Sequence, residues 1–279
     1  MTIDAKAFTA FERMAHDRIA KTYTEHFAPL TSLAVEALLD AAQVAPGRRL
    51  LDVATGPGVA AAAAHARGAT ATGVDVSPGM IALAETTHPT ITFRVAEVTA
   101  LPFPDAAFDT VVCNFALGHF PEPEAAVVEC VRVLEPGGTL AFTWWDQPQL
   151  QRIQGLFREV IAELGLQPPR DVPRGHDTLR YSDAGAFAGL LSDAGLEGTA
   201  VAAHGTTHLM PDVEALWRAG MGGMAVTASA VAAQDAATQA RAREALARRA
   251  EVYRSTRGLE IPIAFLVGMG KKPDGHQVL

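Results

Sequence analysis

The stretch RRLLDVATGPGVAAAAAHARG, residues 48–68, reads as a strand, a glycine turn and a helix. Leu50, Leu51 and Val53 make a short apolar run ahead of turn residues, the pattern of a buried strand. Gly56-Pro57-Gly58 turns the chain, and the alanines at 60–64 are small enough for a helix to lie close on a sheet. Ala61 stands three residues after Gly58, and Asp75 closes the next apolar run, 19 positions after Gly56. This is the spacing of a nucleotide-binding turn whose downstream acid accepts both hydroxyls of a ribose. Two residues argue against a pyrophosphate. Pro57 has no N–H to donate, and Asp52 places negative charge near the helix N-terminus where a phosphate would sit.

Outward from this stretch, residues 48–145 alternate. The apolar runs LLDVA, TATGVDV, ITFRV, FDTVVCNF and TLAFTWW are separated by helical patterns at 58–67, 78–87 and 122–134. Such alternation predicts a parallel sheet with right-handed crossovers. Ser77 with Pro78 marks a helix start, Gly68 a helix end, and EPGG at 135–138 a turn feeding the fifth strand. Residues 5–45 carry apolar side chains at helical spacing. Residues 148–195 are read as mostly helical around the polar break QPPRDVPRGHD. GLEGTAVAAHG and IPIAFLVGMG are read as two late strands separated by a helical insert at about 212–256, and KKPDGHQVL as a loose tail. The expected division is an N-terminal helical lid at 1–45 and a cofactor-binding core at 46–147. An acceptor-binding cap follows at 148–258, with a strand at 197–204, and then a final strand and tail at 259–279.

The 279 residues are 49% hydrophobic, enough for a large core, and the net charge of -8 gives no basic surface for nucleic acid. The charge run RAREALARRAE reads as a solvated helix face. Cys113 and Cys130 lie in apolar segments and read as buried free thiols. No leader is visible and no apolar run reaches the roughly 18 residues of a membrane span. A cytoplasmic protein without membrane contact is the default expectation.

A phosphate-free adenosyl ligand with a cationic amino group and a sulfonium accommodates both Asp52 and Pro57. S-adenosylmethionine is such a ligand. LLDVATGPG, GVDVSPGMIALA, EVTALPFPDAAFDTVVCNFAL and VECVRVLEPGGTLAF follow in that order at close spacing. Together they resemble the class I S-adenosylmethionine-dependent methyltransferases, in particular the small-molecule group similar to ubiquinone and menaquinone biosynthesis enzymes. The resemblance covers about 48–145. It implies a Rossmann-like, seven-stranded, mostly parallel sheet with helices on both faces, plus N-terminal helices and a helical cap. It implies that Asp52, Ala54, Gly56, Pro57 and Gly58 surround the methionine part of the cofactor. Asp75 and Val76 would meet the ribose, Met80 would pack on the adenine, Glu97 and Val98 would read the adenine edge, and Asn114 would face the methyl group. Glu97-Val98 departs from the family's usual Asp before a small residue. The product would be S-adenosylhomocysteine.

Methyl transfer from a sulfonium is an in-line substitution that needs alignment, exclusion of water and, for some acceptors, a base. His119 in ALGHF is the leading base, and one of Tyr23 and His26 in KTYTEHF could close the site as a lid. Trp144, Trp145 and Asp146 are candidates for the acceptor pocket, and Phe157, Trp217, Met221 and Met224 for an apolar wall in the cap. His176, His204 and His208 have no metal-ligand spacing and read as surface or loop residues, so no metal is expected. The expected acceptor is a small, hydrophobic or aromatic metabolite methylated on oxygen, nitrogen or carbon. Two further readings remain at this stage: a nicotinamide-dependent oxidoreductase, and a protein that keeps the cofactor site but catalyses cyclisation or rearrangement. The N-terminal helices could cover their own site or exchange with a neighbour in a homo-oligomer.

Overall fold

Three helices precede the first strand in the computed structural model, which describes residues 3–274. They are α1 (Ala5–His26), α2 (Ala28–Thr31) and α3 (Val35–Ala41). Asp4 caps α1 by accepting from the Ala7 N–H. The alternating segment follows as β1 (Arg49–Val53), α4 (Val59–Ala66), β2 (Thr70–Asp75), α5 (Pro78–Thr87), β3 (Thr92–Val95), β4 (Phe108–Asn114), α6 (Pro123–Val133) and β5 (Leu134–Trp145). The expected helix bounds hold to within a residue at most ends, and Ser77 caps α5 as its position implied.

The C-terminal half comprises α7 (Arg152–Leu164), α8 (Ala184–Asp193), β6 (Glu197–Met210), α9 (Val213–Gly223), α10 (Ala225–Ala232), α11 (Ala236–Ala250), β7 (Arg254–Ser255) and β8 (Gly258–Lys271). The sheet order is β3-β2-β1-β4-β5-β8-β6, with the two-residue β7 pairing on β8. The pairs among β1 to β5 are parallel, and β8 runs antiparallel to both β5 and β6. The order reverses between β1 and β4, the crevice where open α/β sheets take ligands.

Strand alternation sends neighbours of β1 to opposite faces. Leu50 packs with Ala61, Ala71 and Val112, whereas Leu51 and Val53 pack with Val111, Cys113 and Phe142. Both cysteines are buried and unpaired in a disulfide.

Three expectations change. The EPGG segment lies within the irregular start of β5, where the register with β4 shifts between Phe108 and Thr110. The strand expected at 197–204 runs on to Met210, so His208 stands on the edge strand with His204. The start of the tail is anchored: Lys271 is in β8, and the Lys272 ammonium donates to the carbonyls of Val131 and Leu134 at 2.8 and 2.7 Å. A cation there satisfies carbonyls left open at the end of α6. The rest of KKPDGHQVL, residues 275–279, lies outside the described residues.

Helix α9 approaches its neighbours through glycines. A Cβ on Gly220 would stand 2.1 Å from Cζ of the buried Phe157 ring. Gly220→Ala is therefore expected to lower stability by about 1–3 kcal/mol through overpacking. Gly189→Ala in α8, where a Cβ meets nothing within 4 Å, should raise it by up to about 1 kcal/mol. Denaturant unfolding of the two variants checks the contrast.

Candidate functional site

A cavity with about 810 Å3 of open space, the solvent at its mouth included, lies above the carboxyl ends of β1, β2 and β4, with α1 as its roof. A smaller one of about 310 Å3 adjoins it, and Tyr23, Ala54, Gly56 and Asn114 line both. The floor follows from the turn after β1. Gly56 has φ +53°, and a Cβ there would meet no atom within 4 Å, so the backbone is open to whatever fills the cavity. Ala54 also has positive φ, at 54°.

Gly58 differs from this reading. It lines neither cavity. Its φ of +86° sets the start of α4, and a Cβ would stand 2.9 Å from the Phe93 ring, so the packing beneath the turn demands glycine there.

Two buried carboxylates face this floor. Asp75 accepts from the Gly56 N–H through Oδ2 and from the Ser77 N–H through Oδ1, both at 2.9 Å. Each oxygen keeps a second acceptor site. Burial pushes the Asp75 pKa up, against the two backbone donors and the nearby His16. Asp52, 1% exposed, accepts through Oδ2 from the Thr55 hydroxyl at 2.6 Å and the Ala61 N–H at 3.0 Å. Its Oδ1 is buried without a partner, beside the smaller cavity. Burial pushes the Asp52 carboxyl up to about 7. A buried acceptor with nothing to accept from is costly and is the arrangement a cationic ligand would complete.

The roof carries a second cluster. Glu12, buried on the inner face of α1, accepts from His119 Nδ1 at 2.9 Å and lies 3.4 Å from His16 Nδ1. His16 Nδ1 donates to the Glu12 carbonyl at 2.9 Å, and its ring meets that of His119 edge-on at 4.8 Å. Burial alone would raise the Glu12 pKa, but attraction to His119, its hydrogen bond and His16 hold it below the usual glutamate value. Burial likewise works to lower the His119 pKa, and Glu12 with Asp75 carries it above the ordinary histidine value. One donor atom each from Glu12, His16 and His119 lies within 4.8 Å of the others, the only group of three such side chains among the described residues. The Nδ1 atoms of His16 and His119 are committed to the Glu12 carbonyl and carboxylate.

Of the residues singled out from the sequence, Tyr23, Ala54, Gly56, Asp75, Val76, Met80, Glu97, Val98, Asn114 and His119 line the main cavity. Pro57 and Asp52 line the smaller one. Asn114 is held on both sides, donating to the Thr31 carbonyl and accepting from the Thr143 hydroxyl. The Tyr23 pKa is pushed up to about 12 by burial, and its side chain lines both cavities from α1. His26 lines neither cavity and stands 3.9 Å from Glu25, which removes it from the site.

The expected acceptor wall in the cap is also corrected. Phe157 and Trp217 pack on each other at 6.0 Å within the core, and neither they nor Met221 and Met224 line a cavity. Trp145 stacks on Phe115 at 3.7 Å and Trp144 donates to the Thr178 carbonyl, so both are packing residues. Asp146 instead accepts from the Gln147 N–H. His176 lies outside the cavity, within 3.1 Å of the Leu117 carbonyl.

Thr9, Glu12 and His16 line the cavity and escaped the sequence reading. Their signal was positional: with Tyr23 they recur at intervals of three, four and seven, one face of a helix.

Residues 51–142 match the family model described as a methyltransferase domain. A demethylmenaquinone methyltransferase of Renibacterium salmoninarum is 36% identical over 126 residues, 45% of this chain and 52% of that protein. The chain thus spans about half the length of that relative. A demethylmenaquinone methyltransferase of Beutenbergia cavernae is 30% identical over 191 residues, covering 66% of this chain and 78% of that protein. The crystal structure of a putative methyltransferase from Bacillus halodurans matches with a TM-score of 0.55 at 20% identity, over 86% of this chain and 98% of that one, a likeness of fold. The nicotinamide reading of the glycine turn therefore falls, and the chain belongs to the class I S-adenosylmethionine-dependent methyltransferases.

Proposed function

We propose that this enzyme transfers the methyl group of S-adenosylmethionine to a small aromatic acceptor of the phenol or quinol class, at its hydroxyl oxygen or an adjacent ring carbon. One observation carries the reading. The residues suited to the cofactor and a histidine–carboxylate pair suited to a proton line the same cavity. Ionising a phenol raises electron density on the oxygen and on the neighbouring ring carbons, so one base serves either outcome. The similarity to quinone methyltransferases supports the same class.

The cofactor supplies an electrophilic methyl group on a sulfonium. The chain's own residues bind and orient. The spare acceptor sites of Asp75 take the ribose hydroxyls, and Met80 and Val98 flank the adenine. The unpartnered Oδ1 of Asp52 takes the cationic amino group, directly or through water. Phe115 and Phe120 offer apolar surface for an aromatic ring next to His119. Alignment of this kind is worth about 7–11 kcal/mol, more than the 10²–10⁴-fold typical of a base, so positioning is the larger share of catalysis.

Asp75→Ala should weaken binding of S-adenosylhomocysteine by at least about tenfold, since acceptors lost from a charged group cost about 1.5–3 kcal/mol. Calorimetry reads this directly, and an unchanged affinity overturns the ribose role. Binding should also follow Asp52. Its pKa of about 7 means that the carboxylate forms as pH rises through neutrality. Affinity for the cationic amino group should therefore rise about tenfold from pH 6 to pH 8. Asp52→Asn should flatten that dependence. His119→Ala should lower kcat about 10²–10⁴-fold with affinity for S-adenosylhomocysteine little changed.

A further inference from the structure

We propose that Glu12, on the roof helix α1, is the positioning residue for His119: it holds the Nδ1–H so that Nε2 receives the acceptor's proton, and the base is complete only when α1 is seated. The inference rests on the methyl-transfer reading above and goes beyond it, because it places part of the reaction's machinery outside the matched methyltransferase segment, 51–142.

Three observations support it. First, Glu12 sits at an inward position of α1, in line with the buried Phe8 and Ala20. A carboxylate there is costly to bury, and an apolar residue of similar size would serve folding as well or better. Second, the carboxylate is spent on imidazoles. Its Oε2 takes the His119 Nδ1–H, leaving Nε2 of that half-exposed ring as the group that can face the cavity. Third, α1 is docked at a defined height. Asp17, five residues beyond Glu12, accepts from the Ser77 hydroxyl at 2.5 Å and the Gly79 N–H at 2.8 Å. Those donors belong to the turn that follows Asp75, so the helix bearing Glu12 is registered against the turn assigned to the ribose.

The step balances. The acceptor's O–H bond breaks and its proton passes to Nε2 of His119. The electron pair left on the acceptor forms the new bond to the methyl carbon, and the pair of the sulfur–methyl bond returns to sulfur. One positive charge thus moves from the sulfonium to the imidazolium, where the Glu12 carboxylate already lies. The charged and titratable groups facing that imidazole are Glu12 and His16 from α1 and Asp75 from β2, with Tyr23 behind the His16 ring. Two of them are acids whose attraction favours the imidazolium.

The test uses the full chain with imidazole nitrogens labelled for NMR, in the presence of S-adenosylhomocysteine. In the wild type, His119 should titrate above the ordinary histidine midpoint. In Glu12→Gln the midpoint should fall by about one unit or more as the anion is lost. Glu12→Asp, which keeps the charge, should restore part of the shift. With reduced 1,4-naphthoquinone as probe acceptor, kcat of Glu12→Gln should fall at least tenfold, and its rising pH limb should move to lower pH. KM for S-adenosylmethionine should change little. An unchanged His119 midpoint in Glu12→Gln overturns the proposal whatever the acceptor proves to be. Failure of the wild type to methylate the probe counts against the acceptor class alone, and failure to bind S-adenosylhomocysteine against the cofactor reading.

Discussion

The site depends on one carboxylate. Asp75 ties the turn after β1 to the turn after β2 by accepting from the Gly56 and Ser77 N–H groups. Those two turns lie at the ends of adjacent parallel strands, paired from Arg49 with Thr70 to Val53 with Val74. Strand register sets their height, and the carboxylate fixes how they face one another. Backbone N–H groups that a turn would otherwise leave open are satisfied by a group that still has acceptor sites to spare. Ser77 then hands the constraint to the roof. Its hydroxyl donates to Asp17 of α1 and accepts from the Met80 N–H, so helix cap, cavity floor and cavity roof share one short chain of hydrogen bonds. A shift in any of these would be felt at Glu12 and His119, which meet in a hydrogen bond at the edge of the same cavity.

The sheet was legible because its signals are local. The alternation of apolar runs with helical patterns between 48 and 145 marks the five parallel strands, and Ser77-Pro78 and Gly68 mark helix ends through their own backbone preferences. The lining of the cavity was legible for the same reason, since Gly56, Asp75 and Asn114 sit at or just beyond strand ends whose positions the pattern fixes. Gly58 shows where that logic stops. The sequence marks it as a glycine but not the reason, which is the Phe93 ring brought from a strand 34 or more positions away. The roof was misread for a related reason. Which face of α1 meets the cavity depends on how that helix docks, and docking rests on Asp17 meeting Ser77 across 60 positions. Tyr23 was found and His26 wrongly added because they are neighbours in a polar run. Tyr23 faces the cavity, whereas His26 is the last residue of α1 and stands beside Glu25.

The acceptor wall was misplaced because composition does not say what an apolar residue touches. Phe157 and Trp217 look like part of a pocket wall in sequence, but they and the glycines of α9 are the means by which α7, α9 and α1 approach one another. Gly223 leaves room for the Phe27 ring just beyond the end of α1, as Gly220 does for Phe157. The cap therefore acts on the site indirectly. Its packing holds α1 down, and α1 carries the polar residues of the roof.

Burying Asp52 with an open oxygen is a cost that the fold alone does not explain. A carboxyl raised from 3.8 to about 7 loses on the order of 4 kcal/mol of folding stability once it is ionised in the native state. The sign follows from the direction of the shift. Below the unfolded pKa the acid is neutral in both states and costs nothing. Above it the unfolded chain ionises freely while the native site resists, and the cost grows until the native group itself ionises near pH 7. A cation placed against Oδ1 reverses that penalty. Ligand binding to the native state alone adds stability in proportion to its affinity, so energy withheld from the empty protein becomes energy of binding. The same reasoning separates Asp52 from Glu12. Glu12 is deeply buried too, yet its pKa lies below the usual value, because attraction to His119, the hydrogen bond from it and the nearby His16 outweigh burial. One buried acid is built to await a cation from outside. The other carries its own, on a proton that can come and go.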